Sequence, residues 1–529
     1  MRRPLILNGF MATGKSTIGA LVARSTERAF IDLDRVIEVD AGASVERIFA
    51  TQGEAAFRGL ERANLTRILA EASSTAQPPV IAVGGGALVA RDLRLKALDE
   101  GVVVTLEGSP AVLARRALAQ GPRPLLAGPD PEQRASELLG LRATSYAEAQ
   151  ARISCEAPVE TVAALVREAW QRDEIGVAAG EASYGVQIGS GFAKDRIGAL
   201  AEQSPVCVLV SDRTVAALHA EPIENALREA GARVIRIDLS PGEAHKHIGG
   251  IESVWRAALN GGADRKATFV ALGGGVVTDM TGFAASTYMR GVRWIGIPTT
   301  LLAMVDASVG GKTGVDLQSA KNAVGAFWQP SSVLCDVQYL TTEPARGFVS
   351  ALAEVVKTAL IGDPEMFELL EANAERVARR DADLTAELVR RSVRVKARIV
   401  SLDERESGLR AVLNLGHTVG HALEAQAGYT ALSHGEAVSL GLVAALRLGE
   451  ALGRTPRDLS ERTLELLRRL GLPASLAGQP LADAVALIGH DKKRAGSSVR
   501  FVLARGLGQV ETLPIPLSEL HTRVLALAE

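Results

Sequence analysis

A glycine-rich segment near the start of the chain, GFMATGKST at residues 9–17, constrains the fold more than any other feature of the sequence. It fits the pattern G-x-x-x-x-G-K-[ST], follows the apolar run LIL and precedes a stretch with helical spacing. In this setting the glycines let backbone N–H groups face phosphates, while Lys15 reaches the outer phosphates and the Ser16 hydroxyl ligates magnesium. A glycine turn without a ligand is the alternative, which the flanking strand and helix disfavour. The segment predicts binding of ATP or GTP with Mg²⁺ by Ala12, Thr13, Gly14, Lys15, Ser16 and Thr17.

The rest of the chain divides by texture. Short apolar runs alternate with helical stretches over residues 1–170, which predicts a parallel sheet covered by helices on both faces. Residues 171–183 show no clear period and are predicted to be a linker. An α/β pattern resumes over 184–345, and helical spacing dominates 346–529. The expected fold class is α/β: a P-loop kinase domain, then a Rossmann-like α/β domain, then a mainly helical domain.

Composition excludes several classes of partner. The 529 residues have a formal net charge of −2, so no excess of positive charge indicates nucleic acid or an anionic membrane as a main partner. The three cysteines, Cys155, Cys207 and Cys335, are widely spaced and form no CxxC pair, which suits a reducing compartment. No apolar stretch approaches the roughly 18 residues of a spanning helix. A cytoplasmic location is expected.

An acceptor for the phosphoryl group is indicated by the residues that follow the phosphate-binding loop. FIDLD places Asp32 and Asp34 on the same side of a strand end, because side chains alternate along a strand. One carboxylate can hold magnesium-bound water while the other accepts hydrogen bonds from a substrate hydroxyl. Further along, in order, stand FRGLE with Arg58, a triple glycine at 84–86, RPLL with Arg123 and RATSY with Arg142.

Together with the phosphate-binding loop, this ordered set resembles shikimate kinase over residues 1–170. The resemblance implies that Arg58 and Arg142 clamp the carboxylate of shikimate by bidentate hydrogen bonds. It implies that Asp34 and Gly85 also contact shikimate. Another small-molecule kinase or a nucleoside monophosphate kinase is the alternative, and the arginines and aspartates favour a carboxylated polyol.

The same resemblance assigns the catalytic groups of this half. Lys15 would act on the phosphates, and Asp32 would support magnesium and help to deprotonate the attacking hydroxyl. Arg123 would lie on a lid that closes over ATP and stabilise charge during phosphoryl transfer. Members of the family often have a further basic residue near the adenine-contacting turn, and ISCEAPVE at 153–160 offers none, so the adenine contacts stay open.

A histidine cluster marks the second half. The chain has eight histidines, and three of them, His417, His421 and His434, fall within 18 residues. A helix would place His417 and His421 on one face, since they are four residues apart. Neutral imidazoles so arranged are common ligands of divalent metals, although helix-face histidines also serve other roles. A carboxylate could complete the ligand set, but spacing alone does not choose it.

A second glycine turn, GGGVVTD at 273–279, follows the strand-like TFVAL and can hold a pyrophosphate at a helix start. It lacks the G-x-G-x-x-G spacing, and a buried glycine turn without a ligand is an equal alternative. Lysines beside glycine and asparagine in PGEAHK, GGKTGVD and KNAVG suit a small anionic ligand.

These blocks, with ALAEVVKTAL at 351–360, resemble 3-dehydroquinate synthase from about residue 184 to the end. The resemblance implies a zinc (or cobalt) ion held by Glu354, His417 and His434, with His421 contacting substrate and relaying protons. Lys312 and Lys357 would be catalytic. The implied NAD contacts are Asp212, Glu243, Lys246, Gly274, Gly275, Val276, Asp279, Thr299, Thr300, Lys312, Lys321, Tyr339 and Thr342. The implied substrate contacts are Arg290, Asp306, Asn322, Lys357, Lys396, Arg410, Asn414, His421 and Lys492.

The implied reaction converts 3-deoxy-D-arabino-heptulosonate 7-phosphate into 3-dehydroquinate and phosphate, with NAD regenerated in each cycle. Arg290 would reach the substrate phosphate of a neighbouring subunit, which implies a homodimer. The nearest alternative for this half is a polyol dehydrogenase of the glycerol dehydrogenase type, which would consume NAD stoichiometrically. A scaffold protein with decayed sites is disfavoured because Lys15, Ser16, Glu354, His417 and His434 are all present.

Overall fold

The computed structural model describes residues 3–119, 121, 124–126, 129–202, 204–318, 320–428, 431–488 and 498–528. Two compact units are present, Met1–Gln187 and Ile188–Glu529. The expected α/β fold class is confirmed in both units. Among the described residues, no helix has the length and apolar character needed to cross a membrane.

Within the described residues, the main sheet of the first unit contains β1 (Leu5–Gly9), β2 (Phe30–Asp32), β3 (Val80–Ala82), β4 (Val102–Glu107) and β5 (Ala151–Ser154). They form a parallel sheet of order β2-β3-β1-β4-β5. Its helices are α1 (Lys15–Ser25), α2 (Leu33–Ala41), α3 (Val45–Ser73), α4 (Arg91–Glu100), α5 (Pro110–Ala119), α6 (Pro131–Leu141), α7 (Ala143–Ala147) and α8 (Val159–Arg172).

Both faces of this sheet are covered. Side chains alternate along β1, so Leu5 and Leu7 join the core on one face and Ile6 joins the core on the other. All three are fully buried. The phosphate-binding loop therefore begins at the carboxyl end of the central strand of a well-packed sheet.

The segment predicted as a linker contains regular structure. α8 extends to Arg172, β6 (Ile175–Val177) follows, and β7 (Tyr184–Gly189) pairs with β6 in antiparallel fashion. Ile175 and Val177 are buried while Gly176 lies between them. A strand of three residues is too short to show a hydrophobic period, which explains why composition alone did not indicate it.

The second unit begins with an α/β region. Its strands are β8 (Val206–Asp212), β9 (Arg233–Leu239), β10 (Thr268–Gly273), β11 (Arg293–Pro298), β12 (Lys312–Leu317), β13 (Ala320–Phe327) and β14 (Ser332–Asp336). Parallel strands run in the order β14-β11-β10-β8-β9, and β12 and β13 form a separate antiparallel hairpin. Its helices are α9 (Ala193–Ala201), α10 (Arg213–Glu229), α11 (Ile248–Asn260) and α12 (Gly275–Thr287).

The remainder of the second unit is mainly helical. It comprises α13 (Ala345–Gly362), α14 (Pro364–Ala378), α15 (Ala382–Leu402), α16 (His417–Gln426), α17 (His434–Ala451), α18 (Arg457–Arg469), α19 (Leu481–Leu487) and α20 (Leu517–Leu525). One antiparallel hairpin interrupts the helices, formed by β15 (Ser498–Gly506) and β16 (Gln509–Pro516). The strand-like FVLA at 501–504 lies within β15.

Candidate active sites

The phosphate-binding loop joins β1 to α1. Gly14 adopts a left-handed conformation (φ 88°) immediately before the helix, which glycine allows without steric cost. The Lys15 Nζ donates hydrogen bonds of 2.8 Å to the carbonyl oxygens of both Gly9 and Phe10. Burial lowers the pKa of Lys15 to about 8, against the opposing effect of Asp34 and Asp32. The loop thus holds its lysine over the site where phosphates would lie.

Two groups suited to magnesium meet beside this loop. The Ser16 hydroxyl, at the start of α1, donates to Asp32 Oδ2 at 2.6 Å. Asp32 ends β2 and also caps α2, where its other oxygen accepts from the Arg35 N–H at 3.5 Å. A hydroxyl and a carboxylate in contact at the edge of a phosphate-binding loop are the oxygen ligands that Mg²⁺ uses with substrate phosphates.

The triple glycine after β3 is the point at which the predicted acceptor residues converge. A Cβ at Gly84 would lie 3.0 Å from Asp34 Oδ1 and in contact with the Glu61 carboxylate. A Cβ at Gly86 would collide with the Arg58 guanidinium, 2.5 Å from its central carbon. Side chains from α2 and α3 therefore reach the turn only because it has no side chains of its own.

Two buried carboxylate oxygens at this turn have no hydrogen-bond partner within the described part of the chain: Asp34 Oδ1 and Glu61 Oε1. Burial raises the pKa of both carboxyl groups, and the nearby Asp32 adds to the effect at Asp34. Unpaired buried acceptors are costly unless a ligand satisfies them. The pair indicates a site for a molecule that carries hydroxyl donors.

Arginines complete the pocket. Arg58 Nη1 donates to Glu61 Oε2 at 2.5 Å, and Arg142 Nη1 donates to the Gly85 carbonyl at 3.1 Å. The Tyr146 hydroxyl donates to the same carbonyl at 2.7 Å. The sequence analysis missed Glu61 and Tyr146. Their spacing, three residues after Arg58 and four after Arg142, is the signal that could have indicated them.

Arg123 lies outside the described residues. The sequence left the adenine contacts open, and one basic side chain from another element lies near the turn at 153–160. Arg116, on α5, donates from Nη1 to the Cys155 carbonyl at 3.1 Å. A basic side chain therefore does reach the turn at ISCEAPVE, but it comes from a different element. Short-range inspection of the turn could not have shown this.

The second unit brings Glu354, His417 and His434 together: one ligand atom from each lies within 4.8 Å of the others. The Nε2 atoms of both histidines stand 3.4 Å from Glu354 Oε1. That oxygen is buried and has no hydrogen-bond partner among the residues described. Two imidazoles and a carboxylate around an unsatisfied buried oxygen fit a divalent ion such as zinc, which takes three protein ligands in catalytic sites.

Local structure orients each of these side chains. Gly416, left-handed at φ 78°, precedes α16, so His417 occupies the first turn and its Nδ1 faces the Leu415 carbonyl at 3.2 Å. That contact places a proton on Nδ1 and leaves Nε2 free to face the cluster. His434 begins α17, where a capping box between Ser433 and Glu436 fixes the turn.

Glu354 lies within α13, three residues before Lys357, and the two side chains form a buried ion pair. Burial alone would raise the pKa of Glu354. The Lys357 ammonium and the two histidines outweigh this effect and hold that pKa well below its usual range. The carboxylate is therefore negative and available to a cation. Burial lowers the pKa of His421, the third histidine of the cluster, to about 4, with His434 adding to the effect.

Glu424 is a further acidic residue that the sequence analysis missed. It lies on α16 with His421, and the set His421, Glu424 and His434 forms a second group of close ligand atoms. The Glu424 Oε2 lies 3.4 Å from His434 Nδ1, and its Oε1 accepts from Lys321 Nζ at 2.9 Å. The signal was present in HTVGHALE, because positions 417, 421 and 424 share one helix face.

Most of the predicted NAD contacts lie at or beyond the carboxyl ends of the parallel strands β14, β11, β10, β8 and β9, whereas Lys312 and Lys321 lie on the β12–β13 hairpin. Ligands of open α/β sheets bind at this edge. The strand ends supply Glu243 and Lys246 after β9, Asp212 from β8, Gly274, Gly275, Val276 and Asp279 after β10, Thr299 and Thr300 after β11, and Tyr339 and Thr342 after β14. Gly275 begins α12, and the Thr299 hydroxyl oxygen is buried without a hydrogen-bond partner in the described structure.

Lys246 joins residues from several elements at the carboxyl ends of these strands. Its Nζ donates to Asp279 Oδ2 at 2.6 Å and to Asn322 Oδ1 at 2.5 Å. Its ammonium also stands 4.0 Å from Glu243 Oε1, and the Lys321 ammonium stands 3.9 Å from the same oxygen. Residues from the loop after β9, from α12 and from the β12–β13 hairpin thus meet at one cluster of charges.

Several predicted substrate contacts occur as pairs. Lys396 Nζ donates to Asp306 Oδ1 at 2.6 Å. Lys312 forms an ion pair with Glu406, whose other oxygen accepts from Asn414 Nδ2 at 3.2 Å. Glu406 was missed by the sequence analysis, since an acidic residue in DERESG resembles ordinary surface.

Three predicted contacts stand apart from these pairs. Arg410 is buried, and its guanidinium donates to the carbonyl oxygens of Gly310 and Glu404. Arg290 is exposed and left-handed (φ 68°) just after α12. Lys492 lies outside the described residues.

The fold and the sites define the class of protein: a P-loop kinase unit followed by a Rossmann-like α/β unit with a carboxylate–imidazole cluster in its helical part. Comparison with known families gives the same order of a kinase followed by a synthase. Residues 11–171 match shikimate kinase, 236–350 match the N-terminal domain of 3-dehydroquinate synthase and 351–494 match its C-terminal domain.

The chain belongs to the 3-dehydroquinate synthase family and has a shikimate kinase domain ahead of the synthase domains. It is 47% identical over 331 residues to the 3-dehydroquinate synthase of Halorhodospira halophila, covering 62% of this chain and 92% of that protein. The corresponding protein of Caulobacter vibrioides is 45% identical over 341 residues, covering 63% and 92%. These matches confirm the predicted bifunctional shikimate-pathway enzyme, a kinase joined to a phosphate-eliminating synthase.

A solved structure of 2-epi-5-epi-valiolone synthase from Streptomyces hygroscopicus subsp. jinggangensis, with NAD⁺ and Zn²⁺ bound, is also similar. It is 29% identical, with a TM-score of 0.59, over 65% of this chain and 96% of that one.

Proposed function

We propose that the first unit phosphorylates the 3-hydroxyl of shikimate with Mg–ATP. The second unit converts 3-deoxy-D-arabino-heptulosonate 7-phosphate to 3-dehydroquinate and phosphate with NAD and zinc or cobalt. The observation that supports the pair of activities is that two chemically different groups of residues lie in separate units. One joins a phosphate-binding loop to two unpaired buried carboxylate oxygens; the other gathers two imidazoles around a buried carboxylate.

In the kinase unit, Lys15 and the loop N–H groups would hold the outer phosphates, and Ser16 and Asp32 would hold magnesium. Arg123 keeps its predicted role of stabilising charge during phosphoryl transfer. The Arg58 and Arg142 guanidiniums bind the shikimate carboxylate. Asp34 accepts a hydrogen bond from the attacking hydroxyl, and its raised pKa makes it a better proton acceptor than an ordinary aspartate.

Two further residues of the kinase unit have roles outside the first set of predictions. Glu61 holds the Arg58 guanidinium toward the acceptor and offers its free oxygen to a hydroxyl. Arg116 is proposed to contact adenine, because it lies at the turn where the base would stack.

In the synthase unit, residues 184–345 are proposed to bind NAD and residues 346–529 the metal. Glu354, His417 and His434 would hold the ion, which supplies Lewis-acid polarisation of substrate hydroxyl oxygens when bound. The residues at the strand ends would hold NAD, which serves as a reversible hydride acceptor.

The chain's own groups position the substrate and move protons. The Lys396 ammonium beside Asp306 and the Lys357 ammonium beside Glu354 are buried cationic groups that can turn to a carboxylate or phosphate of the substrate. Glu406 holds Lys312 and Asn414 in place. Arg410 and Lys492 keep their predicted roles as substrate contacts. His421, which lies on the same helix as His417 and faces its imidazole, relays a proton.

Assembly and location belong to the same proposal. Exposed Arg290, held in the left-handed region beside Met289 (φ 50°), is suited to reach the phosphate in a neighbouring copy of the chain, so a homodimer is proposed. All three cysteines are buried and unpaired, which supports a reducing, cytoplasmic location. Small molecules are the partners, with no role for nucleic acid or membrane.

Two assays test this function. In the first, purified protein is offered shikimate, gluconate and nucleoside monophosphates with Mg–ATP, and turnover of shikimate alone is expected. No turnover of shikimate would contradict the kinase assignment. In the second, phosphate release and NADH are followed together with the heptulosonate phosphate. Stoichiometric phosphate without net NADH is expected, and net NADH formation would favour a polyol dehydrogenase instead.

A further inference from the structure

A chain of alternating charges runs from the proposed metal site to the proposed cofactor site. Its members are His434, Glu424, Lys321, Glu243 and Lys246. The successive closest approaches are 3.4, 2.9, 3.9 and 4.0 Å. We refer to these five residues as the charge chain.

Glu424 is the member of the charge chain that contacts both a proposed metal ligand and a proposed cofactor contact. One of its oxygens faces His434, whose opposite nitrogen faces Glu354. The other oxygen accepts from Lys321, which belongs to the β12–β13 hairpin of the α/β region. Only 4% of Glu424 is exposed, so its charge is not dispersed into solvent.

We infer that Glu424 couples the metal and cofactor sites, so that each ligand binds more tightly when the other is present. This inference rests on the proposed function, because it takes His434 as a metal ligand and Lys321 as a cofactor contact. Glu424 is a positioning residue in this scheme, since it acts through His434 and Lys321.

The direction of the effect follows from the geometry. A metal on His434 Nε2 requires the proton on Nδ1, which then donates to Glu424; a stronger acceptor makes the imidazole a better ligand. Lys321 competes for the same carboxylate. When an anionic pyrophosphate draws Lys321 toward itself, more of the carboxylate's charge is left for His434. Cofactor binding therefore strengthens metal binding, and reciprocity requires the converse.

The test measures the coupling directly on the full-length protein. Zinc affinity is determined by competition with a chromophoric chelator, with and without saturating NAD. NAD affinity is determined by calorimetry on zinc-free and zinc-loaded protein. In the wild type, each ligand is expected to raise the affinity of the other by about the same factor, roughly five- to tenfold.

Two substitutions at Glu424 and one control complete the design. Glu424→Gln keeps the shape and removes the charge, so the ratio of affinities is expected to fall to about one, while Glu424→Asp retains charge and recovers part of it. Glu450→Gln is the matched control. Glu450 lies on the same helix as His434 and pairs with Arg447, away from the charge chain, so wild-type coupling is expected.

The outcomes separate this inference from the proposed function. If Glu424→Gln weakens zinc binding equally with and without NAD, Glu424 only orients His434 and the coupling is wrong. An unchanged ratio in a folded Glu424→Gln protein would also overturn it. A wild type that binds neither zinc nor NAD would contradict the proposed function itself, and the inference with it. Circular dichroism of each variant shows whether it is folded.

Discussion

Lys15 and Glu343 show how burial sets the chemistry of single residues in this molecule. Burial lowers the pKa of Lys15 to about 8 and raises that of Glu343 to about 7. Lys15 serves the phosphate-binding loop. The buried Glu343 precedes α13, and its Oε2 accepts from the Leu301 N–H at 3.0 Å, one residue after Thr300.

Nucleotide binding by the kinase unit should weaken as pH rises above about 8. Phosphates favour the charged form of Lys15, but in the free protein this form is lost as pH passes the lowered pKa. Affinity for Mg–ADP is therefore expected to fall by up to about tenfold for each further pH unit, with proton uptake on binding. Calorimetry between pH 7 and 9.5 in buffers of different ionisation enthalpy measures both. Lys15→Arg should bind more weakly with a flatter profile; a flat wild-type profile would contradict the account.

Replacing Glu343 by Gln should change how the stability of the second unit depends on pH. The folded-state pKa lies above the unfolded one, so the group's contribution is fully present below the ordinary value of 4.5 and is lost as pH rises through about 7. Gln keeps the oxygen that faces Leu301 and cannot ionise. Relative to wild type, the free energy of unfolding of the variant is expected to rise by about 2 kcal/mol when the pH is raised from 5.5 to 8. Urea unfolding of both proteins at the two pH values measures this; a constant difference would show that Glu343 does not titrate in this range.

Among the elements, the packing of α16 against α17 decides the geometry of the metal cluster. A Cβ at Gly441 on α17 would stand 2.8 Å from the carbonyl carbon of Gly416 and 2.9 Å from the Gly420 nitrogen. Gly416 immediately precedes His417. The two helices can approach closely only because neither has a side chain at this crossing.

Gly441→Ala is expected to push the two helices apart. Overpacking of this kind costs about 1–3 kcal/mol of unfolding free energy, and the shift of His417 should weaken zinc binding more than tenfold. Chelator competition and thermal unfolding measure the two effects. Gly140→Ala, on α6 of the kinase unit, is the matched control because a Cβ there meets nothing within 4 Å. Wild-type zinc affinity in Gly441→Ala would show that the helix spacing does not set the cluster.

Part of the metal cluster could be predicted from the sequence of single helices, and part could not. Helical spacing predicted that His417 and His421 share a face, because this depends only on residues four apart. It could not choose Glu354, more than sixty residues away on α13, without a family resemblance. Glu424 lay within reach of the same spacing argument and was missed. Glu406, in an irregular loop, offered no period to use.

At the scale of the whole molecule, the alternation of strands and helices was enough to predict an α/β fold in both halves. The boundary between the two halves was harder to predict from the sequence. The strand at Ile175–Val177 is too short to show a hydrophobic period, and it lies in the segment predicted as a linker. Convergence of distant residues, such as Asp34, Glu61 and Arg58 at the triple glycine, depends on strand order and glycine turns. Local patterns do not specify such contacts.

The two reactions are not consecutive: a dehydration and a reduction separate 3-dehydroquinate from shikimate. Nothing in the chemistry therefore requires the product of one unit to pass to the other. We therefore expect one chain to hold two independent activities, each with its own metal requirement.

A paired assay on one preparation measures whether the two activities are independent. Shikimate phosphorylation and cyclisation of the heptulosonate phosphate are measured before and after treatment with a chelator that strips zinc, in the presence of excess magnesium. The account predicts that phosphorylation persists, that cyclisation is lost, and that added zinc restores it. Loss of both activities together, or cyclisation that survives complete removal of the metal, would contradict it.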